Sequence, residues 1–501
     1  MDQTSVLRYA FTQGLGKTIV TAPITVRDVP PTTSGQLPPG FSPDRTSPLP
    51  IGTTDLLERI PFWHGRISDL AAPDPSEALG RALATAFGFQ RREPWNEYAD
   101  HRGYASVRSK YPVHAFALRS DEAWFVDAHG HQLVGQDNGG DPSAEQEPFT
   151  GVALTGRYTH LPYYYELLRG SLVDLEIGIN LRSLCIALEV FGIPSRVRMP
   201  GADAGQQLVQ WGLRPDGEWS LPVTVDLGEA GPATADPGPA VPPTVPEVTG
   251  GLPDPWLREL VEVNRELATQ PIPGQGETPG PLLVQPAVPV GAPGGAGMPS
   301  WAEVLYRRSA GRMPRRLPGV TGRPRRLAAD AFDDALAWYR VPPPTSELQS
   351  VYGKLNCTVA VQNVDGYATG LYRVNPESTE LLVEDPDILR KLEECYGTPL
   401  APGNGNAVRH ASFVWFFSAR LPELLDTFGT GAWTAAQYCA GWAAHGTSLA
   451  AAAHGLYARP ARAFDDVLTQ PVLGTQPGET TLLSVICGTE RYLEPALDLR
   501  Q

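Results

Sequence analysis

The same order of predicted elements occurs twice along the chain, and this repeat limits the architecture more than any other feature. In the first half, "YPVHAFALRSDEAWFVDAHGHQLV" (111–134) alternates apolar and polar residues, which predicts two strands joined by a polar turn. In the second half, "LNCTVAVQNVDGYATGLYRVNPESTELLV" (355–383) predicts the same pair with a longer turn. Both segments therefore indicate antiparallel strand pairs.

A long helix and a closing strand follow in each half. The helices lie in "DLEIGINLRSLCIALEVFG" (174–192) and "AAQYCAGWAAHGTSLAAAAHG" (435–455), and each ends at a glycine. The closing strands are "WSLPVTVDL" (219–227) and "TLLSVICG" (481–488). Because internal repeats determine architecture, we interpret the chain as a divergent tandem duplication.

Proline and glycine, 51 residues of each, mark the limits of the two copies. We predict an N-terminal extension at 1–50, a first domain at 51–227, a linker at 228–298 and a second domain at 299–501. The extension contains "RDVPPTTSGQLPPGFSPDRTSPLP" (27–50), which indicates irregular structure. One amphipathic helix is predicted inside the linker, at Asp254–Ala268.

Charge and cysteine content narrow the function classes for this 501-residue chain. A net charge of −15 argues against broad nucleic-acid binding, which depends on attraction to phosphate. The sequence contains neither an apolar run of the roughly 18–20 residues that span a bilayer nor a secretory signal. Its five dispersed cysteines are typical of reduced thiols. We therefore expect a cytoplasmic protein without nucleic-acid or membrane partners.

A basic segment stands out against this acidic background. "LYRRSAGRMPRRLPG" (305–319) places five arginines around one serine. Guanidinium groups form bidentate, charge-assisted bonds with phosphate, so the segment is a candidate phosphate site. The basic run continues through "GRPRR" (322–326), so a solvated face or a peptide-docking strip remains an alternative.

Four motifs of the second half follow one another as in the nitroreductase superfamily: "YRRSAGRM", "VAVQNVDGYATGLYRV", "GTSLAAAAHGLYARPARAFDD" and "TLLSVICGTE". More narrowly, they resemble FMN-dependent azoline dehydrogenases of thiazole- and oxazole-forming peptide pathways. The resemblance covers most of 300–490 and, more weakly, about 80–227. It implies an α+β fold of two tandem nitroreductase-like domains, each an antiparallel sheet packed by helices. These would form an intrachain pseudo-dimer, and a homodimer of such chains remains open.

The resemblance also implies a cofactor site for FMN between the two halves. Arg307, Arg308 and Ser309 correspond to the family's segment that binds the FMN phosphate and ribityl chain. The next basic residue of the family falls on Gly311 here, and Arg312 comes one position later. Further FMN contacts are implied for Ser109, Arg459, Arg462 and Arg491. Arg459 and Arg462 have an alternative, an ion pair with Asp465 or Asp466.

The two halves keep different parts of the family's site. "RSKYPVHAF" (108–116) retains the family's strand start in the first half, whereas the second half retains the arginine–serine segment. In the family, these two parts of one site come from different subunits. The resemblance therefore implies one FMN site per chain, with Ser109, Lys110 and Tyr111 facing Arg307–Ser309.

Oxidation of an azoline requires a base as well as a hydride acceptor. A Lys-Tyr pair precedes the long helix in some azoline dehydrogenases, but Thr427 and Phe428 stand there in this chain. Lys110, Tyr111 and Tyr158 are the catalytic candidates, and the 163–165 tyrosine cluster is a further alternative. Each of them could instead be an ordinary surface or core residue.

Rival functions remain open at this point. "DAHGH" (127–131) has the residue types of a metal site, but it falls at a predicted turn, so we predict no metal. The resemblance implies a modified precursor peptide as substrate and cyclodehydratase proteins of the same pathway as partners. The alternatives are a flavin-free scaffold that docks a peptide or partner enzyme, and an NAD(P)H-dependent nitro or quinone reductase.

Overall fold

Two antiparallel sheets, one in each half of the chain, form the framework of the computed structural model. The structure describes residues 1–13, 37–63, 66, 75–96, 98–119, 122–137, 147–201, 203–213, 218–228, 254, 256–273, 282–283, 299–312, 322–396, 408–492 and 495–501. The basic pair at 315–316 and most of the predicted linker lie outside these residues.

The first half and its flanking segments contain nine strands: β1 Phe41–Pro48, β2 Phe89–Arg92, β3 Asp100–Arg102, β4 Val113–Arg119, β5 Glu122–Asp127, β6 Gln132–Gln136, β7 Gly151–Gly156, β8 Ser195–Arg198 and β9 Val223–Leu227. The described part of the second half contains β10 Gly322–Arg323, β11 Asn356–Val361, β12 Gly370–Val374, β13 Thr379–Glu384, β14 Phe413–Arg420, β15 Tyr457–Ala461, β16 Glu479–Glu490 and β17 Leu497–Asp498.

Strand order is the same in the two sheets. The first sheet runs β6-β5-β4-β7-β9-β8, and the second runs β13-β12-β11-β14-β16-β15. Two strands differ, since β1 extends the first sheet beside β6 and β10 pairs with β16 in the second. The predicted α+β fold of two tandem domains is confirmed by this repeated topology.

Helices pack on these sheets and between them. Their bounds are α1 Gln3–Phe11, α2 Thr53–Leu57, α3 Pro75–Phe87, α4 Leu168–Val190, α5 Ala204–Gln210, α6 Leu257–Ala268, α7 Trp301–Arg307, α8 Asp330–Tyr339, α9 Ser346–Tyr352, α10 Ile388–Glu394, α11 Leu421–Phe428, α12 Ala432–Ala453 and α13 Asp466–Leu473. No helix in the described ranges combines the length and the apolar character required to cross a membrane.

The long helices α4 and α12 pack against each other at the centre of the molecule. Both are buried on nearly all sides, which explains why their sequences are apolar or small all round. A Cβ on Gly178 would collide with the carbonyl oxygen of Tyr438, and a Cβ on Gly441 would collide with that of Leu175. This reciprocal contact is what a pseudo-twofold axis through the crossing produces, so the halves form an intrachain pseudo-dimer.

Two local predictions were wrong. Each segment read as two strands contains three: β4, β5 and β6 in the first half, and β11, β12 and β13 in the second. Part of the stretch predicted to be irregular forms β1, which pairs antiparallel with β6. Phe41 explains this order, since its ring packs 5.5 Å from that of Phe116 in the first sheet. Burial of an aromatic ring thus outweighs the two prolines of β1.

Candidate functional site

A strained turn precedes β4 in the first half. Three residues other than glycine have left-handed backbones here: Arg108 (φ 50°), Ser109 (φ 49°) and Tyr111 (φ 47°). Such conformations cost free energy and persist only where surrounding contacts hold them. Glu176 of α4 provides such contacts, accepting hydrogen bonds from Ser106 Oγ (2.8 Å) and Val107 N (3.4 Å).

The second half has an ordinary helix at the corresponding place, immediately before its strand β11. Helix α9 there is capped by Thr345, whose Oγ1 accepts a hydrogen bond from Leu348 N at 3.1 Å. The strained turn is thus a feature of the first half, where the sequence retains "RSKYP".

Arg308 faces this turn from the other half of the chain. It is 2% exposed, and its Nη2 donates to the carbonyl oxygen of Arg102 at 3.2 Å. Its Nε and Nη1 have no hydrogen-bond partner among the described residues. Burial, followed by the charge of nearby Arg91, lowers the pKa of Arg308 to about 10. The site therefore contains a desolvated cation with donors to spare.

Arg312 and Arg459 lie close to this position and also meet the first half. The guanidinium of Arg312 stacks 3.9 Å from the ring centroid of Tyr98. Burial, and next the charge of Arg312, lowers the pKa of Arg459 to about 10. Nη1 of Arg459 is buried without a hydrogen-bond partner in the described part of the chain.

Arg108 of the strained turn completes the arrangement. It donates to the hydroxyls of Tyr165 (2.8 Å) and Tyr98 (3.2 Å). Arg108, Arg312 and Arg459 thus share Tyr98 as a neighbour, and Arg308 contacts Arg102. We call these arginines, which come from both halves, the interface arginine cluster. Its members are Arg102, Arg108, Arg308, Arg312 and Arg459.

Hydrogen bonds fix the Arg308 segment against both halves. Arg91 Nη1 donates to the carbonyl oxygen of Arg308 at 3.0 Å, and Arg91 also pairs with Glu93 at 2.8 Å. The carbonyl oxygen of Ser309 accepts a hydrogen bond from Ala458 N at 2.9 Å, which attaches the segment to β15. The segment is therefore held in place by its backbone.

Gly311 explains the shifted position of the next arginine. Its φ is 57°, and a Cβ there would collide with the ring of Tyr457. A side chain at 311 is therefore excluded, and Arg312 is the next residue that can carry charge into the cluster.

Three predicted cofactor residues make other contacts. Arg307 is 48% exposed and pairs with Glu303 one helical turn earlier. Arg462 lies 3.5 Å from Asp466, as in the alternative stated for it. The guanidinium of Arg491 lies 5.8 Å from the ring centroid of Tyr492. Arg308 and Ser309, by contrast, lie in a segment whose backbone is bonded to Arg91 of the first half and to Ala458 of β15.

The catalytic candidates differ in their surroundings. Burial, and then the charge of Arg108, lowers the pKa of Lys110. The Tyr111 hydroxyl donates to the carbonyl oxygen of Asp100 at 2.9 Å and accepts from Arg102 N at 3.1 Å. Lys110 thus loses its proton more readily than a lysine in water, whereas Tyr111 is held by the backbone.

Tyr158 has a different set of neighbours. It is fully buried, and its hydroxyl has no hydrogen-bond partner among the described residues. Burial, and next the charge of Asp174, raises its pKa well above the usual range. A tyrosine in this environment stays protonated and is a poor base.

Comparison with solved structures identifies the fold. A protein from Anabaena variabilis described as a nitroreductase aligns with 97% of this chain and 99% of its own, with a TM-score of 0.66 and 14% sequence identity. The chain has the nitroreductase fold. This confirms the resemblance at the level of the fold, over both halves. In this nitroreductase fold, the interface arginine cluster lies where the two halves meet.

Other matches cover only part of the chain. A protein from Ralstonia eutropha described as a nitroreductase aligns with 43% of this chain and 99% of its own, with a TM-score of 0.29 and 17% identity. An Escherichia coli microcin synthetase complex aligns with 36% of this chain and 70% of its own, with a TM-score of 0.28 and 13% identity. No protein-family model and no curated protein matches the sequence.

Sequence reasoning missed the first-half members of the cluster. Arg108 directly precedes Ser109 in the quoted strand start, so its position next to a candidate residue was an available signal. Arg102 is the last residue of β3 and Tyr98 lies between β2 and β3, and no pattern in their sequence indicates contact with the second half. Their role depends on a tertiary contact that only the fold reveals.

Proposed function

We propose that the chain is an FMN-dependent oxidoreductase that oxidises azoline rings, such as thiazoline to thiazole, in a ribosomally made peptide. The observation that carries the proposal is the interface arginine cluster, which both halves of a nitroreductase fold supply. The azoline specificity is supported by the ordered motifs of the second half and by their resemblance to azoline dehydrogenases.

The residues at the cluster fit the phosphate end of FMN. A phosphate accepts several charge-assisted hydrogen bonds, and Arg308 and Arg459 each have a buried N–H donor without a partner among the described residues. The lowered pKa values of both arginines indicate cations without sufficient compensating charge, which an anion would supply. Arg308, Arg312 and Arg459 would therefore hold the phosphate.

FMN, when bound, supplies the hydride acceptor of the reaction. The protein must orient the ring to be oxidised and accept the proton that leaves its carbon. Lys110 is the best candidate for the proton acceptor, because burial and Arg108 favour its neutral form. We propose that Tyr111 positions Arg102 through its hydrogen bond with the backbone.

The proposed substrate is a modified precursor peptide, and cyclodehydratase proteins that form its azoline rings are the proposed partners. The decisive experiment mixes the FMN-loaded chain anaerobically with a synthetic peptide that contains one thiazoline. We expect the flavin absorbance to bleach and one thiazole to form per reduced flavin. A chain that takes up FMN but is bleached only by NAD(P)H would instead be a nitro or quinone reductase.

A flavin-free scaffold that docks a peptide or partner enzyme is the second candidate function. One observation favours it, since the positions of the family's Lys-Tyr pair have structural roles here. Thr427 Oγ1 donates to the carbonyl oxygen of Glu423 at 2.7 Å, and Phe428 is buried at the end of α11. Failure of the purified chain to bind added FMN would favour this function over the enzyme.

A further inference from the structure

Strand β13 forms an exposed edge of the second sheet. In the part of the chain that the structure describes, no strand pairs with its outer side. Three consecutive apolar side chains in this strand are exposed, Leu381 by 40%, Leu382 by 37% and Val383 by 47%. An edge of this kind offers backbone N–H and C=O groups together with apolar side chains, which is a template for a further strand.

The first half shows how the corresponding edge is covered. Its strand β6 occupies the same place in the strand order as β13, but β1 pairs with it antiparallel. Leu133 and Val134 in β6 are only 4% and 0% exposed. In the described residues, the β6 edge of the first sheet is thus covered by β1, whereas the equivalent β13 edge of the second sheet has no additional strand.

The pairing of β1 with β6 also shows what such an edge tolerates. Its register shifts between Phe41 and Thr46, so the added strand is irregular. Arg45 of β1 reaches across the sheet, donating to Glu122 at 3.3 Å and to the carbonyl oxygen of Gln136 at 2.7 Å. A short, irregular strand that carries one cation is therefore held in this fold.

Charge selects the occupant of the β13 edge. Glu377, Glu380 and Glu384 are exposed along this strand and the turn before it. A second copy of the chain would bring two such acidic edges together, and like charges across paired strands destabilise pairing. The pairing of β13 with β12 shifts its register between Leu381 and Val383, so these two side chains lie on opposite faces of the sheet. A segment that carries lysine or arginine as well as apolar residues would match both the charge and this exposed apolar surface.

We propose that β13 is a docking strand for an extended basic segment of a partner polypeptide, which adds to its outer edge as β1 adds to β6. Main-chain hydrogen bonds supply the affinity, and the alternating side chains supply the selectivity. The surface is separate from the interface arginine cluster, and the proposal holds whether or not the chain is a dehydrogenase.

The test uses the full chain and two fluorescein-labelled twelve-residue peptides, one alternating valine with lysine and one alternating valine with glutamate. We expect the lysine peptide to bind by fluorescence anisotropy, and the glutamate peptide to bind at least about tenfold more weakly because of like-charge pairs. Replacing Leu381 and Val383 together by lysine should weaken binding of the lysine peptide by about tenfold or more. The matched control is Val467→Lys with Leu468→Lys, an exposed apolar pair of α13, which should leave binding unchanged.

Three results would overturn the proposal. They are no binding of the lysine peptide, equal binding of both peptides, and equal loss of binding in the control variant. Sedimentation velocity of the wild-type chain tests whether a second copy of the chain occupies the β13 edge instead. A concentration-dependent dimer that the Leu381 and Val383 substitutions abolish would assign the edge to a second copy and would also overturn it.

Discussion

Arg308 and Arg459 are cations with buried N–H groups. These groups have no hydrogen-bond partner among the described residues. If they hold the FMN phosphate, Arg308→Met or Arg459→Met should raise the Kd for FMN by roughly 10–100-fold, since a hydrogen bond to a charged group contributes about 1.5–3 kcal/mol. Titration of the flavin-free protein with FMN, followed by flavin fluorescence, measures this change.

Arg307→Met is the matched control for these variants. The Arg307 side chain is exposed and pairs with Glu303, so its removal should change the Kd by less than about threefold, as for other surface ion pairs. Wild-type FMN affinity in both Arg308→Met and Arg459→Met would contradict the assignment of the cluster.

Variants of Lys110 and Tyr111 distinguish the proposed general base, Lys110, from its neighbour Tyr111, for which a structural role is proposed. Lys110→Ala should leave FMN bound but slow its reduction by an azoline peptide by about 10²–10⁴-fold, the usual contribution of a general base. Tyr111→Phe should instead reduce the free energy of unfolding by about 1–2 kcal/mol, because it loses the hydrogen bonds of its hydroxyl. Anaerobic stopped flow and urea denaturation measure the two effects. Normal reduction rates in Lys110→Ala would exclude Lys110 as the base.

How much of the site follows from sequence differs from residue to residue. The sequence indicates Arg308 and Ser309 because they lie in a recognisable segment. It gives no reason for the shift to Arg312, which depends on the Tyr457 ring packed against Gly311. The sequence also gives no indication of Arg102 and Tyr98, because their contacts with the second half join elements that are distant in sequence.

The crossing of α4 and α12 depends on two glycines. Gly178→Ala or Gly441→Ala would force the helices apart, since each Cβ would collide with a carbonyl oxygen of the opposite helix. We expect each substitution to reduce the free energy of unfolding by about 1–3 kcal/mol or more, as for other overpacked cores. Gly353→Ala is the control, because its nearest neighbour would lie at 3.5 Å, and it should change stability by less than about 1 kcal/mol. Equal stability of all three variants would contradict the close crossing.

Helix α4 also supports the strained turn through Glu176, and this contact predicts a pH dependence. Burial raises the pKa of Glu176 to about 8, so the folded protein retains a proton that the unfolded chain releases near its ordinary pKa. The contribution of protonated Glu176 to the free energy of unfolding is fully present at low pH. It is lost as the pH rises from about 4.5 to about 8. Relative to Glu176→Gln, the wild type should therefore lose stability over that range. Parallel pH profiles of the two proteins in urea denaturation would contradict this protonation.

The sequence predicts elements that have a local apolar periodicity. It does not predict a strand whose order depends on pairing with a distant part of the chain. The long helices and the strands of each sheet follow from apolar patterns and glycine ends. Strand β1 does not, since its proline-rich sequence resembles a loop and its order comes from pairing with β6 and from the buried Phe41 ring. The additional strand of each segment was missed because short polar breaks are inconspicuous within alternating patterns.

The whole molecule is a duplicated fold with an asymmetric interface. Its two large sheets share one strand order and its central helices cross reciprocally. The strained turn, however, lies in the first half, and Arg308, Arg312 and Arg459 lie in the second. A symmetric dimer would have two equal sites at such an interface. Divergence after duplication would thus leave each half with one part of a single shared site.

The stoichiometry of flavin binding tests this account most directly. Purified chain should be saturated with excess FMN, freed of unbound cofactor, and denatured so that released FMN can be quantified by absorbance against protein concentration. The account predicts one FMN per polypeptide, and strong loss of it in Arg308→Met combined with Arg459→Met. Two FMN per chain, or none after incubation, would contradict a single flavin site shared by the two halves.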